Sequence, residues 1–590
     1  MDMKWNLDNL YASFESKEFS NDIKSCEKHI EEFKEWVDRS TKNNEDAAYK
    51  IEEYIGMKKK ILALAIKLLS FSELTLSVDT KNRKAKESLE IVEGKLTELV
   101  EPNAKFEKWL GKAGNLDSII ASSELLKEHN FYLKEIVEKS KYLLSDKEEA
   151  IVAKMKNTGS NAWTKLKDFI TSTLLVDIEV DGEEKKLPLS LVRNMAHDKD
   201  ASIRKRAYEA ELKAYGKIDD TAAACLNGIK GEVITVSKLR GYKSPLEETL
   251  IKSRIDEKIL DSMLTAMKES MPIFWKFYRR KGEMLGNKNG LPFYDLFAPV
   301  GEVNMKFTYD EAKEFIVKNF RTFSERLADF ATKAFEENWI DAEPREGKVG
   351  GAFCENIHPL GESRIMSNFS GSFSDVVTLA HELGHGYHGE CLKNESILNS
   401  EYPMPIAETA STFCETIIKQ AAIKNSSREE AFTILENEIS DAGQVIVDIY
   451  SRFLFESELF KRREESSLST EELKEIMLNA QKEAYGDGLD EKYLHPYMWV
   501  NKPHYYYADT NFYNFPYAFG LLFSKGLYAE YLKRGKSFVE DYDRLLEVTG
   551  KNNLRDVAAL MGINIASIDF WRSSLKLVED DIEKFIELSQ

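Results

Sequence analysis

Two histidines and one glutamate in this sequence stand at a spacing that can hold a metal ion and use it. The segment His381-Glu-Leu-Gly-His385 separates two imidazoles by four residues, with Glu382 beside the first. At about 100° per residue, both imidazoles lie on one helical face and can reach the same ion. Two neutral imidazoles suit zinc, which in a catalytic site takes one more protein ligand and keeps a position for water. A carboxylate beside that water can accept its proton, so Glu382 is the predicted general base.

The third metal ligand is expected from a second helix. Prolines at Pro403 and Pro405 mark a helix entrance, and Glu408 follows in the first turns. Glu415, seven residues further on, points the same way. It is predicted to orient one of the metal ligands without binding the ion itself. Glu401 is the alternative ligand, although its place before the two prolines makes it less suited to a rigid site.

A third histidine, His388, is nearly in line with His381 on the same helix. The extended zincin spacing requires histidine at position 391, which is Cys391, so His388 is predicted to be a hydrogen-bonded neighbour of the ligands. Three glycines also interrupt this helix, each at a cost of about 1 kcal/mol relative to alanine. They predict that something approaches the helix backbone closely: Gly384, Gly386 and Gly389.

These segments resemble the signature of the M3 family of zinc metallopeptidases, in its oligoendopeptidase F subfamily. The similarity rests on His381-Glu-Leu-Gly-His-Gly-Tyr-His and Ala407-Glu-Thr-Ala-Ser-Thr-Phe, and extends to Trp5–Tyr11, Pro344–Phe353 and His504–Gly520. The resemblance implies a mainly α, two-lobed, zincin-like fold with a small β-sheet at the active site. It also implies a deep channel that admits short peptides, and one zinc ion per chain. By the same resemblance His381, His385 and Glu408 would bind zinc, with Glu382 as base.

An aromatic segment near the C-terminus is the candidate source of further catalytic groups. Peptide hydrolysis builds negative charge on the former carbonyl oxygen, which needs a hydrogen-bond donor. The resemblance implies that a histidine and one or two tyrosines here supply it. His504 aligns best, and Tyr507, Tyr513 and Tyr517 are the favoured tyrosines. The other large aromatic side chains of the segment are predicted to be core residues: Tyr505, Tyr506, Phe512 and Phe515.

The elements that must position these residues are mainly helical. Apolar residues three and four apart recur along most of the chain and predict amphipathic helices, with the metal motif on a helix over 375–389. Two capping boxes, Thr308 with Glu311 and Ser469 with Glu472, predict helix starts. An Asp181-Gly182 turn predicts a hairpin. The sequence predicts an N-terminal helical lobe, 1–194, and a catalytic region, 195–590.

The small β-sheet is predicted in the least helical stretch, between residues 344 and 371. A bound peptide is expected to add a strand to an exposed sheet edge, with Gly351–Cys354 and Arg364–Ser370 as the candidate strands. The predicted substrate-binding residues are therefore taken from these two strands: Gly351, Ala352, Asn368 and Ser370.

Composition excludes several classes of protein. Among 590 residues, 101 acidic and 82 basic side chains give a net charge of −19, which opposes binding to nucleic acid or anionic membranes. The start of the chain lacks a secretory signal, and the apolar run Ile61–Ile66 is too short to span a bilayer, so a cytoplasmic protein is predicted. Five cysteines without a Cys-x-x-Cys pair are predicted to be inert thiols.

The leading hypothesis is a zinc endopeptidase that cleaves short, unfolded oligopeptides. One alternative is a zinc carboxypeptidase, which needs a cation to bind the terminal carboxylate of the substrate; Arg364 and Lys348 are the candidates. A second alternative is a peptide-binding protein whose motif is a relic. The sequence does not indicate an oligomeric state.

Overall fold

The chain is mainly α-helical, as predicted, in a computed structural model that describes residues 2–301 and 305–590. In chain order the first helices are α1 (Lys17–Ser40), α2 (Ala47–Val78), α3 (Arg83–Thr97), α4 (Val100–Leu110), α5 (Leu116–Ala121), α6 (Glu124–Glu128), α7 (Asn130–Ser140), α8 (Asp146–Thr158), α9 (Ser160–Ser172), α10 (Leu189–Asn194), α11 (Ala201–Tyr215), α12 (Asp219–Arg240), α13 (Pro245–Lys252) and α14 (Glu257–Met284). The helices that follow are α15 (Tyr309–Phe323), α16 (Glu325–Glu336), α17 (Phe373–Leu392), α18 (Met404–Ala407), α19 (Thr409–Asn425), α20 (Arg428–Gly443), α21 (Ile449–Arg463), α22 (Thr470–Tyr485), α23 (Met498–Asn501), α24 (Phe515–Arg534), α25 (Ser537–Glu547), α26 (Leu554–Ala559) and α27 (Ile568–Leu588).

Two small sheets complete the described fold. The strands are β1 (Leu175–Val180), β2 (Glu183–Pro188), β3 (Ile340–Asp341), β4 (Phe353–Ile357) and β5 (Glu362–Met366). Strands β1 and β2 form the predicted antiparallel hairpin, in which Asp181 and Gly182 both have positive φ, as a tight type I′ turn requires. Both predicted capping boxes are confirmed at the starts of α15 and α22.

The chain folds into two compact units, each assembled from three stretches. Unit 1 comprises Met1–Leu143, Asn304–Ala421 and Glu530–Ile563. Its core lies among α1, α2 and α4, where the Tyr54 ring stacks on Phe106 with centroids 3.7 Å apart. Unit 2 comprises Leu144–Val303, Ala422–Ala529 and Asn564–Gln590, and in its core the Phe277 ring of α14 packs edge-on against Phe585 of α27. The division at residue 195 stays a prediction.

Helix α2 is the described helix that is long and apolar enough to cross a membrane by length and composition alone. Seven large side chains of this helix lie in the core of unit 1: Ile51, Tyr54, Ile55, Ile61, Leu68, Phe71 and Leu74. We therefore interpret α2 as a core helix of unit 1. The cytoplasmic location stays a prediction.

The three-stranded sheet of unit 1 has the order β3-β5-β4, so β5 is its central strand. It pairs in parallel with β3 on one side and antiparallel with β4 on the other, so neither edge of β5 is exposed. The prediction that a peptide adds to a strand over Arg364–Ser370 is therefore wrong. The edge strand is β4, which begins at Phe353, so Gly351 and Ala352 precede it rather than form part of it.

Candidate metal centre

The helix that carries the histidine motif is α17, and local sequence explains where it begins. Ser372 accepts a hydrogen bond from the Asp375 backbone N–H, and the Asp375 carboxylate accepts one from the Ser372 N–H, which satisfies two helix-end donors. The apolar side chains Leu379 and Leu383 are fully buried and anchor the helix in unit 1. This anchoring fixes the face on which His381 and His385 lie.

Helix α17 passes α19 at very close range, because Gly384 has no side chain. A Cβ atom at this position would lie 2.6 Å from the Ala410 carbonyl oxygen and 2.6 Å from the Ser411 Cα. At Gly384 the predicted close approach is therefore made by the backbone of the neighbouring helix. It brings Glu408, at the junction of α18 and α19, next to the histidines of α17.

We expect Gly384→Ala to destabilise the protein by about 1–3 kcal/mol, the usual cost of overpacking, because backbone atoms of α19 must move. The same movement should weaken metal binding, since Glu408 lies directly before that segment. Urea denaturation and metal content measure the two effects. The matched control is Gly94→Ala in α3, where a Cβ meets nothing within 4 Å. This control should leave stability unchanged or raise it by up to about 1 kcal/mol.

Three candidate ligand atoms converge at one point in unit 1. The Nε2 atoms of His381 and His385 are 3.1 Å apart, and Glu408 Oε2 lies 3.3 Å from the first and 3.4 Å from the second. A tetrahedral ion with bonds of about 2.0–2.1 Å separates its ligands by about 3.3 Å. The donor types and separations therefore fit zinc.

Carboxylates surround the two imidazoles and favour positive charge at this point. Burial alone would lower the pKa of His381, but hydrogen bonding with Glu408 and Glu415 raises it to about 10. Burial alone would likewise raise the pKa of Glu408, but the two histidines hold it well below its usual range. The carboxylates that stabilise a proton here would also stabilise a divalent cation that replaces it, and carboxylate oxygen with imidazole nitrogen is a donor set suited to such an ion.

The orientation of the histidines is fixed by a second layer of contacts. Glu415 Oε1 lies 2.5 Å from His381 Nδ1, which leaves Nε2 directed toward Glu408. Lys419, one turn further along α19, contacts Glu415 Oε2 at 2.8 Å. The Asn356 side chain on β4 donates a hydrogen bond to the His385 carbonyl oxygen at 3.1 Å. The roles of Lys419 and Asn356 are not predicted from the sequence, although the spacing of four residues between Glu415 and Lys419 is a signal that indicates the first.

Glu382 lies beside the imidazoles and is only 5% exposed. An imidazole nitrogen of His381, an imidazole nitrogen of His385 and a carboxylate oxygen of Glu382 all lie within 4.8 Å of one another. Glu408 approaches both Nε2 atoms more closely than this, which makes it the better candidate for the third ligand. Burial raises the pKa of Glu382, although the histidines oppose the shift, and this favours proton uptake by its carboxylate.

The remaining neighbours of the motif have structural contacts. His388 is fully buried, its ring stacks on Tyr402 at 4.0 Å, and its Nε2 lies 2.8 Å from Thr549 Oγ1. Burial lowers the pKa of His388 to about 3, so it stays neutral. The adjacent Tyr387 hydroxyl donates to Asp543 on α25 at 2.6 Å.

Glu401, the alternative ligand, is exposed, and its charge acts on Lys58 and Tyr132.

Two of the predicted substrate-binding residues have polar groups that bind other parts of unit 1. The Asn368 side-chain amide donates to the Val349 and Gly351 carbonyl oxygens at 3.0 and 3.1 Å. Ser370 lies beyond β5, and its N–H and hydroxyl both donate to Asp375, where they support the start of α17.

Within unit 1, a groove of about 920 Å³ lies beside β4 and is also lined by α2 and α3.

The aromatic segment after α23 belongs to unit 2. The centroid of the His504 ring is 5.3 Å from that of Tyr513 and 6.3 Å from that of Tyr507, and the Tyr513 and Tyr517 rings are 5.7 Å apart. Burial and the nearby Arg452 lower the pKa of His504, so its ring is neutral and carries one N–H donor. The prediction of core residues is confirmed, because all four are buried: Tyr505, Tyr506, Phe512 and Phe515.

The two cations considered as a carboxylate clamp are both used inside unit 1. Arg364 is 1% exposed and donates to the Asn6 and Ser363 carbonyl oxygens and to Glu362. The Lys348 side chain is buried and contacts Asp341 at 2.7 Å. Neither cation is therefore available to bind the terminal carboxylate of a peptide.

The cysteine prediction is consistent with the structure. All five thiols are free; Cys26, Cys225, Cys391 and Cys414 are buried and Cys354 is partly so. Burial raises the pKa of each thiol, which lowers its thiolate content and hence its reactivity.

Comparison with known proteins gives matches over most of the chain. The model of "Peptidase family M3" matches residues 194–577, and that of "Oligopeptidase F" matches residues 112–174. Oligopeptidase PepF of Bacillus subtilis is 26% identical over 481 residues, covering 80% of this chain and 71% of the relative. The crystal structure of a proposed peptidase from Chlamydophila abortus superposes with a TM-score of 0.85 at 21% identity, covering 99% and 98% of the two chains. That of oligoendopeptidase-F from Enterococcus faecium gives 0.70 at 17% identity, covering 97% and 99%.

Proposed function

Because this chain belongs to peptidase family M3, a family of metal-dependent peptidases, we propose that it uses one zinc ion to hydrolyse internal peptide bonds of short peptides. The observation that carries the proposal is the convergence of His381, His385 and Glu408 within 3.1–3.4 Å of one another, with Glu382 at their side. The names of relatives such as oligoendopeptidase F support the choice of short peptides as substrates.

In this proposal each residue around the ion has a separate task. His381, His385 and Glu408 would hold zinc, which when bound would supply Lewis acidity to the scissile carbonyl and to a water molecule. Glu382 takes a proton from the attacking water and delivers it to the leaving amine. Glu415 keeps His381 oriented by its 2.5 Å contact with Nδ1.

The peptide is proposed to lie along β4 as an added strand. An edge strand offers backbone N–H and C=O groups to an extended chain, and the groove beside β4 gives room for side chains. For the oxyanion, we assign the donors to the aromatic segment of unit 2: neutral His504 together with Tyr507, Tyr513 and Tyr517. This assignment rests on the family resemblance of that segment.

The contacts of Arg364 and Lys348 favour an endopeptidase over a carboxypeptidase. Both are buried and bonded within unit 1, and a carboxypeptidase needs a cation that is free to bind the substrate terminus. A relic peptide-binding protein does not need Glu382, yet the motif retains this buried carboxylate beside the histidines. We therefore retain the endopeptidase as the single proposed function.

A fluorogenic oligopeptide that is acetylated at its N-terminus and amidated at its C-terminus tests the proposal. We expect cleavage at an internal bond, complete loss of cleavage after treatment with a zinc chelator, and recovery when zinc is added. Mass spectrometry of the products identifies the bond. If only the unblocked peptide were cut, one residue at a time from its C-terminus, the carboxypeptidase would be correct. If neither peptide were cut by zinc-loaded protein, a non-catalytic function would follow.

A further inference from the structure

Unit 2 contains a cavity of about 270 Å³ whose walls all belong to that unit and which the proposed peptide hydrolysis does not use. One part of its wall is apolar and includes Phe293, Leu296 and Met498. The other part carries polar side chains, among them His495 and Lys502. The cavity is several times larger than the share of one water molecule, about 30 Å³, and can hold a small organic molecule.

The charges that line this cavity leave one cation without a partner. Every other aspartate, glutamate or arginine in the wall has an oppositely charged partner in unit 2: Arg204 with Asp295 at 2.8 Å, Arg193 with Glu211 at 3.3 Å, and Asp448 with Arg452. The side-chain ammonium of Lys502 forms no ion pair or hydrogen bond with any residue in the described part of the chain. Its burial lowers its pKa to about 8, so it is still mainly charged at neutral pH. The charges of Asp448 and Glu211 act on this ammonium, but neither carboxylate forms an ion pair with it, so the site still favours an anionic ligand.

Further polar groups in the same wall also lack partners. Within residues 2–301 and 305–590, neither ring nitrogen of His495, the Asn501 side-chain nitrogen nor the Tyr485 hydroxyl has a hydrogen-bond partner. His495 is 2% exposed and Tyr485 is fully buried. The nearest carboxylate oxygen to His495 Nε2, on Glu211, is 3.6 Å away, beyond hydrogen-bond distance. Buried polar groups are nearly always bonded, so these atoms point to a ligand or to water held in the cavity.

We propose that this cavity is a binding site for a small organic carboxylate. Its oxygens accept hydrogen bonds from Lys502, Asn501 and His495, and its apolar body packs against Phe293 and Leu296. The apolar wall distinguishes this ligand from inorganic phosphate, which would fill little of the cavity and would gain nothing from those side chains. The site lies outside the metal centre and does not depend on the proposed peptidase function.

Calorimetric titration of the full chain tests this proposal with two probes that differ at one group. N-acetylphenylalanine carries a carboxylate, and N-acetylphenylalanine amide does not. We expect the acid to bind at least about tenfold more tightly than the amide, both before and after zinc is removed by a chelator. Lys502→Met should weaken binding of the acid about tenfold or more. Lys492→Met, at an exposed lysine outside the cavity, should leave it unchanged.

Several results would overturn the proposal. Equal binding of acid and amide by the unaltered chain would show that no carboxylate is recognised, and this comparison does not depend on the folding of a variant. Loss of acid binding on chelation, with no effect of Lys502→Met, would place the ligand at the metal centre. Binding of inorganic phosphate but not of the acid, lost in Lys502→Met, would assign the cavity to another anion. A failed peptidase assay would not affect the acid–amide comparison, the chelation test or the Lys502→Met measurement.

Discussion

Replacement of Glu382 by glutamine should reduce kcat by about 10²–10⁴-fold and leave the zinc content at one ion per chain. Glutamine keeps the shape of the buried side chain but cannot accept the proton of the attacking water, and a positioned general base contributes a factor of this size. Because the ligands of the ion are unchanged, KM should change much less than kcat. Initial rates on the doubly blocked peptide, together with metal analysis of the same preparation, give both quantities.

The control for this variant lies on the same helix. Glu390→Gln removes a carboxylate from α17 whose ion pair is with Lys393, and it should retain the activity of the unaltered protein. If Glu382→Gln retained full turnover with zinc bound, Glu382 would lose its assigned role as base. If it lost both zinc and activity, Glu382 would have to be counted among the ligands.

Replacement of Glu408 by glutamine should lower zinc affinity by at least about 100-fold. Loss of a residue that only supports a ligand typically costs 10–100-fold, and Glu408 Oε2 is itself within 3.4 Å of both imidazole Nε2 atoms. The variant should therefore lose its metal on dialysis against a zinc buffer and regain part of its activity at high zinc concentration. Metal content as a function of free zinc measures the affinity.

Glu401→Gln is the matched control, because Glu401 is the alternative ligand in the segment before the prolines. It is exposed and should keep both zinc and activity. The opposite pattern, with zinc retained in Glu408→Gln and lost in Glu401→Gln, would contradict the ligand set and require a rearranged site. A variant of Glu408 that bound zinc normally but was inactive would assign Glu408 to substrate rather than to metal.

Residues close together along the chain could be predicted well. The helical period places His381 and His385 on one face of α17. Glu408 lies at the junction of α18 and α19 and Glu415 lies within α19, and both contact His381 as the sequence predicts. The hairpin with its Asp181-Gly182 turn and both capping boxes follow from local hydrogen bonding, which depends on three or four residues. The predicted turn and capping boxes are present in the structure because no tertiary contact in the described part of the chain opposes them.

Features that depend on distant parts of the chain could not be predicted in this way. Arg364 looks like a free cation in the sequence, but it is bonded to the carbonyl oxygen of Asn6, more than three hundred residues away. Ser370 was assigned to a strand, although Ser372 and Asp375 formed a readable capping box that places the start of α17 close by. The order of the sheet was also not predictable, because pairing of β5 with β3 joins segments separated by β4.

The three-part construction of unit 1 has a consequence for synthesis on the ribosome. Helix α17 is completed by contacts with α25 and the segment after it, through Tyr387 with Asp543 and His388 with Thr549. At 5–20 residues per second, those partners emerge of the order of ten seconds after Glu408. A nascent chain therefore carries its metal ligands well before the surroundings of their helix are complete, so hydrolytic competence should arise only after Asp543 and Thr549 have left the ribosome.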